Sequence, residues 1–365
     1  MASNSFGEIL RITSFGESHG LAMGGVIDGF PPGVIIDLDF VQQCLDRRKP
    51  GQSRLVSQRK EADKIEVLSG IFDNKTTGSP IAFIVRNSDQ RSADYDALSN
   101  VYRPSHADYT YHQKYGHVDQ RGGGRASARE TLVRVAAGAF ATHLLKQFGI
   151  QVLAYTHQIG NITAQANLSA LTQKIVDDSP TRCPDKVAAS RMEELLAELA
   201  RQGDSVGGVV ACTITGVPAG LGEPVYNKLS AALAAAMMGI NATKGFEVGE
   251  GFVAASRKGS EHNDAFVVEN GAITTRTNHS GGIQGGISNG QSVIFRVAFK
   301  PPASIARQQT TVDKSGKEVQ LSVTGRHDPC VVPRAVPVVE AMAALVIADF
   351  YLRNLIYVPF RKENK

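Results

Sequence analysis

Apolar and polar residues alternate from the start of the chain. EILRITSF and LAMGGVIDGF, joined by GESHG, read as a strand pair within residues 8–36 that ends at Pro31-Pro32-Gly33. The spacing then becomes helical. Asp39 is the expected N-cap with Gln42 at the capping-box position, and Phe40, Val41, Cys44 and Leu45 make an apolar side up to a stop at Pro50-Gly51. Residues 65–68 and 81–85 read as strands on either side of Gly78. From Asn87 to about Gly124 the periodicity lapses, and Tyr, His, Arg, Asp and Gly take over. Structureless loops longer than ~12–15 residues are usually functional or disordered. The tyrosines and histidines argue against disorder, so an ordered active-site loop is expected.

A helix is predicted over 127–147, with Leu132, Val135, Ala136, Phe140 and Leu144 on one side and an Ala/Gly run at 136–139 that calls for close packing. Residues 158–203 read as a peripheral helical excursion in which MEELLAELARQ is amphipathic. Strands are expected at 207–215 and 292–299, and helices at 228–238 and 333–352. SHGLAMGG near the start echoes NHSGGIQGG at 278–286, and a Gly/Arg-rich loop precedes a helix in each half, as a duplicated α+β unit would produce.

Length and composition narrow this only slightly. A chain of 365 residues, 42% hydrophobic and 20% charged, can bury a large core as one domain over 1–365 or as two fused halves. A net charge of +4 suits anionic small molecules and nucleic acid alike. Cys44, Cys183, Cys212 and Cys330 are widely spaced, which fits free thiols in a reducing cytosol rather than zinc or disulfides. The N-terminus lacks the basic and apolar regions of a signal peptide, and the apolar stretch at 229–240 is shorter than the ~20 residues a bilayer needs. A cytoplasmic protein without a membrane partner is expected.

Candidate chemistry lies in the loops. Arg121-Gly-Gly-Gly-Arg125-Ala-Ser127-Ala-Arg129-Glu130 enters a helix, so its glycines expose backbone amides beside the positive helix end while its arginines offer planar forks. The Ser127/Glu130 spacing is also that of a capping box. Arg47, Arg48 and Arg54 flank a helix end, where cations are favoured in any protein. His19 sits in a tight turn and His106 in the long loop; either suits proton transfer, although a lone histidine is more often structural than catalytic. His106, His112 and His117 match no common ligand spacing, so no metal is expected. Lys300-Pro-Pro-Ala-Ser304 follows a strand, and Arg326-His-Asp328-Pro precedes the last helix.

Together, residues 11–20, 123–131 and 325–330 resemble the three signature segments of the chorismate synthase family, and 103–106 and 241–245 resemble two more. The resemblance implies an α+β fold, a β-α-β sandwich with helices packed between antiparallel sheets, assembled as a homotetramer. It implies a carbon–oxygen lyase that expels phosphate from 5-enolpyruvylshikimate 3-phosphate by 1,4-elimination to give chorismate, with reduced FMN supplied by an external flavin reductase. Carried over by motif, Arg48, Arg54, Arg103, Arg129 and Arg326 bind substrate. Arg125, Ala126, Ser127, Asn241, Ala242, Gly285, Lys300, Pro301, Pro302, Ala303, Ser304 and Arg326 line the flavin. His19 protonates the departing phosphate, His106 sets the flavin's protonation, and Asp328 assists removal of the ring hydrogen. The rivals are a bifunctional form that reduces its own FMN with NADPH, a non-catalytic flavin or phosphate binder, and a nucleic-acid binder. The last would place its arginines in an exposed stripe rather than in glycine-rich loops.

Overall fold

The computed structural model describes residues 3–51, 62–87, 100–118, 123–323 and 328–360. The first half builds an antiparallel sheet from β1 (Ser5–Phe6), β2 (Arg11–Gly16), β3 (Ala22–Asp28), β4 (Ile65–Val67) and β5 (Ile81–Arg86), with helix α1 (Leu38–Arg48) between β3 and β4. Its order is β1-β2-β3-β5-β4. Helices α2 (Asp108–Tyr115) and α3 (Thr131–Lys146) follow. The second half adds β6 (Gln151–Ile159), β7 (Ile162–Thr163), α4 (Lys186–Gln202), β8 (Gly208–Thr215), α5 (Leu229–Met238), β9 (Thr243–Val248), β10 (Val293–Phe299) and α6 (Val332–Leu355). Its sheet is also antiparallel, in the order β9-β10-β8-β6-β7.

The expected α+β sandwich is therefore present. β2-β3-α1-β4-β5 and β6-β8-α5-β9-β10 share one topology, in which the fourth strand inserts between the second and third, and each unit leads into a long helix. The duplication lies in this wiring and not in the echoed peptides. SHGLAMGG feeds the second strand of its unit, whereas NHSGGIQGG precedes the fourth. The Gly/Arg-bearing segments ahead of α3 and α6 lie in part outside the described residues.

α3 packs on β3 and α6 on β6 and β8, so the two helices fill the layer between the sheets, with α1 against both. They meet closely. A Cβ on Gly138 would lie 2.4 Å from the Cα of Ala341, and Phe148 just beyond α3 stacks on Tyr351 with ring centroids 4.1 Å apart. Both contacts have the same sequence offset, so the helices run parallel and begin at the same end. α6 is long and apolar enough to cross a membrane by length and composition, unlike the shorter stretch at 229–240, but 89% of that window is buried inside the protein. A helix apolar on all sides is the mark of such a core position. Its buried Asp349 accepts hydrogen bonds from the backbone N–H groups of Glu8, Ile9 and Leu10 at 3.3, 2.8 and 2.9 Å, fastening the start of the first sheet to the last helix.

Some local expectations are corrected. Asp37, not Asp39, caps α1 by accepting from the N–H groups of Asp39 and Phe40. Gln42 reaches instead to Asp46 and the carbonyl of Asp63. Two 3-10 turns precede α3, so the α-helix begins at Thr131 rather than Ser127. The sequence pattern passed over α2 because no residue of that helix is buried and periodicity reports only an apolar face. The excursion at 158–203 is in part the end of β6 with β7, and its main helix is α4, capped by Asp185.

Gly138→Ala tests the helix crossing. Alanine is favoured over glycine by ~1 kcal/mol in a free helix, yet overpacking against Ala341 should lower stability by about 1–3 kcal/mol in denaturant titration at fixed protein concentration. An unchanged or raised midpoint would mean that the two helices can separate to admit a methyl group.

Candidate active site

The end of α1, the start of β4 and the mouth of α3 converge on one carboxylate. Asp63 is 1% exposed and takes a left-handed backbone (φ 44°) that is uncommon outside glycine. One of its oxygens pairs with Arg48, which is itself 1% exposed, and the other lies 3.0 Å from Arg129. Burial alone would raise the acid's pKa, but the Arg48 and Arg129 guanidiniums outweigh it and hold the carboxyl below its usual range. Among the described residues, two guanidiniums share this one carboxylate.

Arg129 continues the network. Its Nε donates to Asn87 Oδ1 at 2.6 Å, and Asn87 Nδ2 donates to the carbonyls of Glu17 and Gly20 at 3.1 and 2.7 Å. That is the turn holding His19, which is 9% exposed with its Nδ1 3.2 Å from Ser18 Oγ. Arg125 secures the same turn from the other side through Gly16 O at 3.2 Å, Ser14 Oγ at 2.6 Å and Asn4 Oδ1 at 3.2 Å. Its fork therefore holds the glycine loop to the first sheet. Ser127 Oγ accepts from the N–H of Arg129 at 3.4 Å, while the Glu130 carboxylate bonds Arg134 at 3.0 Å, so the reciprocal capping box does not form.

The loop before α2 forms a second cluster. Asp108 accepts from Arg103 through Nε and Nη2, each at 2.7 Å, and from the Arg103 backbone N–H at 3.1 Å. The same carboxylate lies 2.7 Å from His106 Nδ1. A proton on Nδ1 directed at Asp108 leaves Nε2 as the working nitrogen of the ring. The Asp108 carboxyl, despite its burial, is held far below its usual range by the hydrogen bonds and charges of Arg103 and His106. Arg103, expected as a substrate clamp, thus commits its fork to Asp108 and turns Nη1 toward Ser304 Oγ at 3.5 Å. His112 pairs with the Tyr102 hydroxyl at 2.6 Å.

Ser304 belongs to the 300–304 loop that leaves β10. The Lys300 N–H donates to Ala242 O at 2.9 Å, Ala242 takes a positive φ of 68°, and Asn241 Nδ2 donates to Ala126 O at 3.2 Å. Asn241 Oδ1 is buried and has no hydrogen-bond partner among the described residues, so the site presents one unused acceptor. Burial first, and Lys244 second, pushes the Lys300 pKa down. Pro302 O accepts from Ser205 Oγ at 2.8 Å and Pro329 O from the Val206 N–H at 2.9 Å, which brings the 300–304 loop alongside Asp328. Asp328 is bound by Arg334 at 2.6 Å.

All the described candidates except Gly285 thus join one hydrogen-bonded region. Gly285 is set apart: the neighbouring Gly286 O accepts from the Leu229 N–H at the start of α5, while Asn241 follows the other end of that helix, about 15 Å away at 1.5 Å per residue. Arg54 and Arg326 lie outside the described residues. The sequence reading missed Asp63, Asn87 and Arg334 and gave Asp108 no role. Asp63 and Asn87 are identified by partners distant in sequence, whereas Asp108 and Arg334 bond carboxylate, guanidinium or imidazole partners within six residues, and only the fold shows those contacts.

Because α3 and α6 run parallel, their positive ends face the same region, each worth roughly half a unit charge. With the Arg48–Asp63–Arg129 group beside them, they make a site suited to a multiply charged anion.

The chain has relatives of known family. A model of the chorismate synthase family matches residues 10–352. The chorismate synthase of Bacteroides fragilis is 58% identical over 349 residues, covering 96% of this chain and 98% of the relative. That of Cytophaga hutchinsonii is 56% identical over 353 residues, covering 96% and 98%. A solved structure described as the crystal structure of chorismate synthase superimposes with a TM-score of 0.77 at 32% identity, covering 96% of this chain and 94% of the other. With a family match over nearly its whole length and relatives above half identity, the chain belongs to the chorismate synthase family.

Proposed function

We propose that the cationic region around Asp63 and the two helix N-termini is where this chain carries out the family's reaction, with reduced FMN bound along 241–242 and 300–304. The chain is a phosphate-eliminating lyase of the shikimate pathway. Its substrate, 5-enolpyruvylshikimate 3-phosphate, carries two carboxylates and a phosphate, and the buried arginines held by Asp63 are the single observation that best supports this location. Buried anions need such compensation.

The donor set fits a flavin. Asn241 Oδ1 supplies an unused acceptor for a ring N–H, and Arg125, Ala126, Ser127, Ala242 and Lys300 to Ser304 lie in the two loops hydrogen-bonded to it and to its neighbour. When bound, reduced FMN supplies electron density for breaking the allylic C–O bond without net oxidation. Arg48 and Arg129 orient and neutralise the substrate anions. His19 gives a proton to the leaving phosphate oxygen as that bond breaks. His106, aligned through Nδ1 by Asp108, offers Nε2 to hold the flavin in its active protonation state, and Asp328 assists removal of the ring hydrogen. The fold orients these groups and keeps water away from them.

A homotetramer is supported by outward-facing apolar side chains. Phe266, Val268 and Ile273 share one face of the 266–275 hairpin, and Phe252 is exposed nearby in sequence. A cytoplasmic location fits the four free cysteines. An external reductase as the source of reduced flavin is part of the same reading.

The decisive test is anaerobic incubation with 5-enolpyruvylshikimate 3-phosphate. Chorismate and phosphate should appear in equal amounts with chemically reduced FMN, and not with oxidised FMN or with oxidised FMN plus NADPH alone. No product despite measured substrate and flavin binding would overturn the assignment, and product with NADPH alone would mean a built-in reductase. Within the active enzyme, His19→Ala and His106→Ala should each lower kcat on the order of 10²–10⁴-fold. Asp63→Asn should act mainly on KM, raising it on the order of 10- to 100-fold as Arg48 and Arg129 lose their shared counterion. Near-normal turnover in either histidine variant would remove that residue from the mechanism.

A further inference from the structure

Arg334, in the first turn of α6, was no part of the motif reading, yet it touches two elements of the site. Its Nη1 donates to Asp328 Oδ2 at 2.6 Å, and its Nε donates to the carbonyl of Arg48 at 3.3 Å. The Asp328 side chain is 11% exposed and that of Arg334 23%, so the ion pair is largely shielded from water. One rigid guanidinium thus spans from the carboxylate ahead of α6 to the backbone at the end of α1, whose side chain enters the Asp63 pair. Arginine is suited to this because its fork is planar and fixes direction as well as distance.

The junction between α1 and α6 has a separate anchor. Arg47 donates to Glu340 of α6 at 2.6 and 3.4 Å, and to Asp177 at 3.1 Å. The backbone carbonyl of Arg47 accepts from Arg182. Removing Arg334 therefore leaves α1 docked, and the change falls on the orientation of Asp328.

We propose that Arg334 is a positioning residue that holds the Asp328 carboxylate in register with the Arg48 end of α1 and influences turnover only through Asp328. This rests on the functional reading above, in which Asp328 takes part in loss of the ring hydrogen. A displacement of about 1 Å in a reacting group can lower a rate by as much as ~10²-fold.

The test is a double-mutant cycle in the anaerobic assay with reduced FMN, comparing wild type, Arg334→Lys, Arg334→Gln, Asp328→Asn and the Arg334→Gln/Asp328→Asn pair. Arg334→Gln should lower kcat about 10- to 100-fold while KM for 5-enolpyruvylshikimate 3-phosphate stays within ~3-fold. Arg334→Lys, which keeps the charge but not the fork, should fall between it and wild type. The double variant should be no slower than Asp328→Asn alone. Multiplicative losses would overturn the proposal, as would a rise in KM at unchanged kcat (a substrate ligand) or a lowered Tm at unchanged kcat (a structural role only). Absence of turnover in the wild type would overturn the functional reading and this proposal together, whereas an active wild type with multiplicative losses overturns this proposal alone.

Discussion

The close parallel packing of α3 against α6 is the contact on which the rest of the molecule depends. Parallel neighbours place like ends of two helix dipoles side by side, which is unfavourable unless something at those ends offsets it. Here the backbones approach so closely at Gly138 and Ala341 that packing holds them together. The cost is turned to use at the common N-terminal end, where the loop bearing Arg125 and Arg129 and the segment bearing Asp328 and Arg334 both emerge. Each sheet covers one of the helices, so the position of the site relative to the whole sandwich follows from that crossing.

A second constraint is electrostatic. The chain has a net charge of only +4, and the arginines of the proposed site are gathered around shared carboxylates. Arginines cannot be buried bare, so Asp63 and Asp108 act as internal counterions, each gathering two cationic or proton-bearing partners and fixing their directions. Both carboxyls are held on the acidic side of their usual range by those partners, which keeps the arrangement charged and rigid across neutral pH. Among the described residues the Asp63 cluster sets two guanidiniums against one carboxylate, an arrangement that suits an anionic substrate.

The doubled β-β-α-β-β wiring supplies a symmetric frame, but the chemistry placed on it is not symmetric. Arg48, Asp63, Arg103 and Arg129 come from the first unit and the connection after it; Asn241, Lys300, Ser304 and Asp328 come from the second. Hydrogen bonds from Asn241 to Ala126 and from Arg103 to Ser304 sew the two sets together.

Strand and helix periods, the proline and glycine stops and the loop motifs were legible along the chain, because local backbone chemistry and the burial of one face leave a repeating mark on sequence. That is why β2, β3, α1, β8 and β10 fall close to where the pattern places them, and why the family was recognisable from five short segments. α2 left no such mark, since it buries no face. Nor did Asp63, whose meaning lies in two arginines brought to it from α1 and from the mouth of α3, or Arg334, whose partners are a carboxylate six residues back and a carbonyl 286 residues away. Gly285 shows the converse, a motif residue that the folded chain sets at the far end of α5 from Asn241. Ion pairing depends on distance in space, and a linear pattern carries no record of which distant charges the packed helices bring into contact.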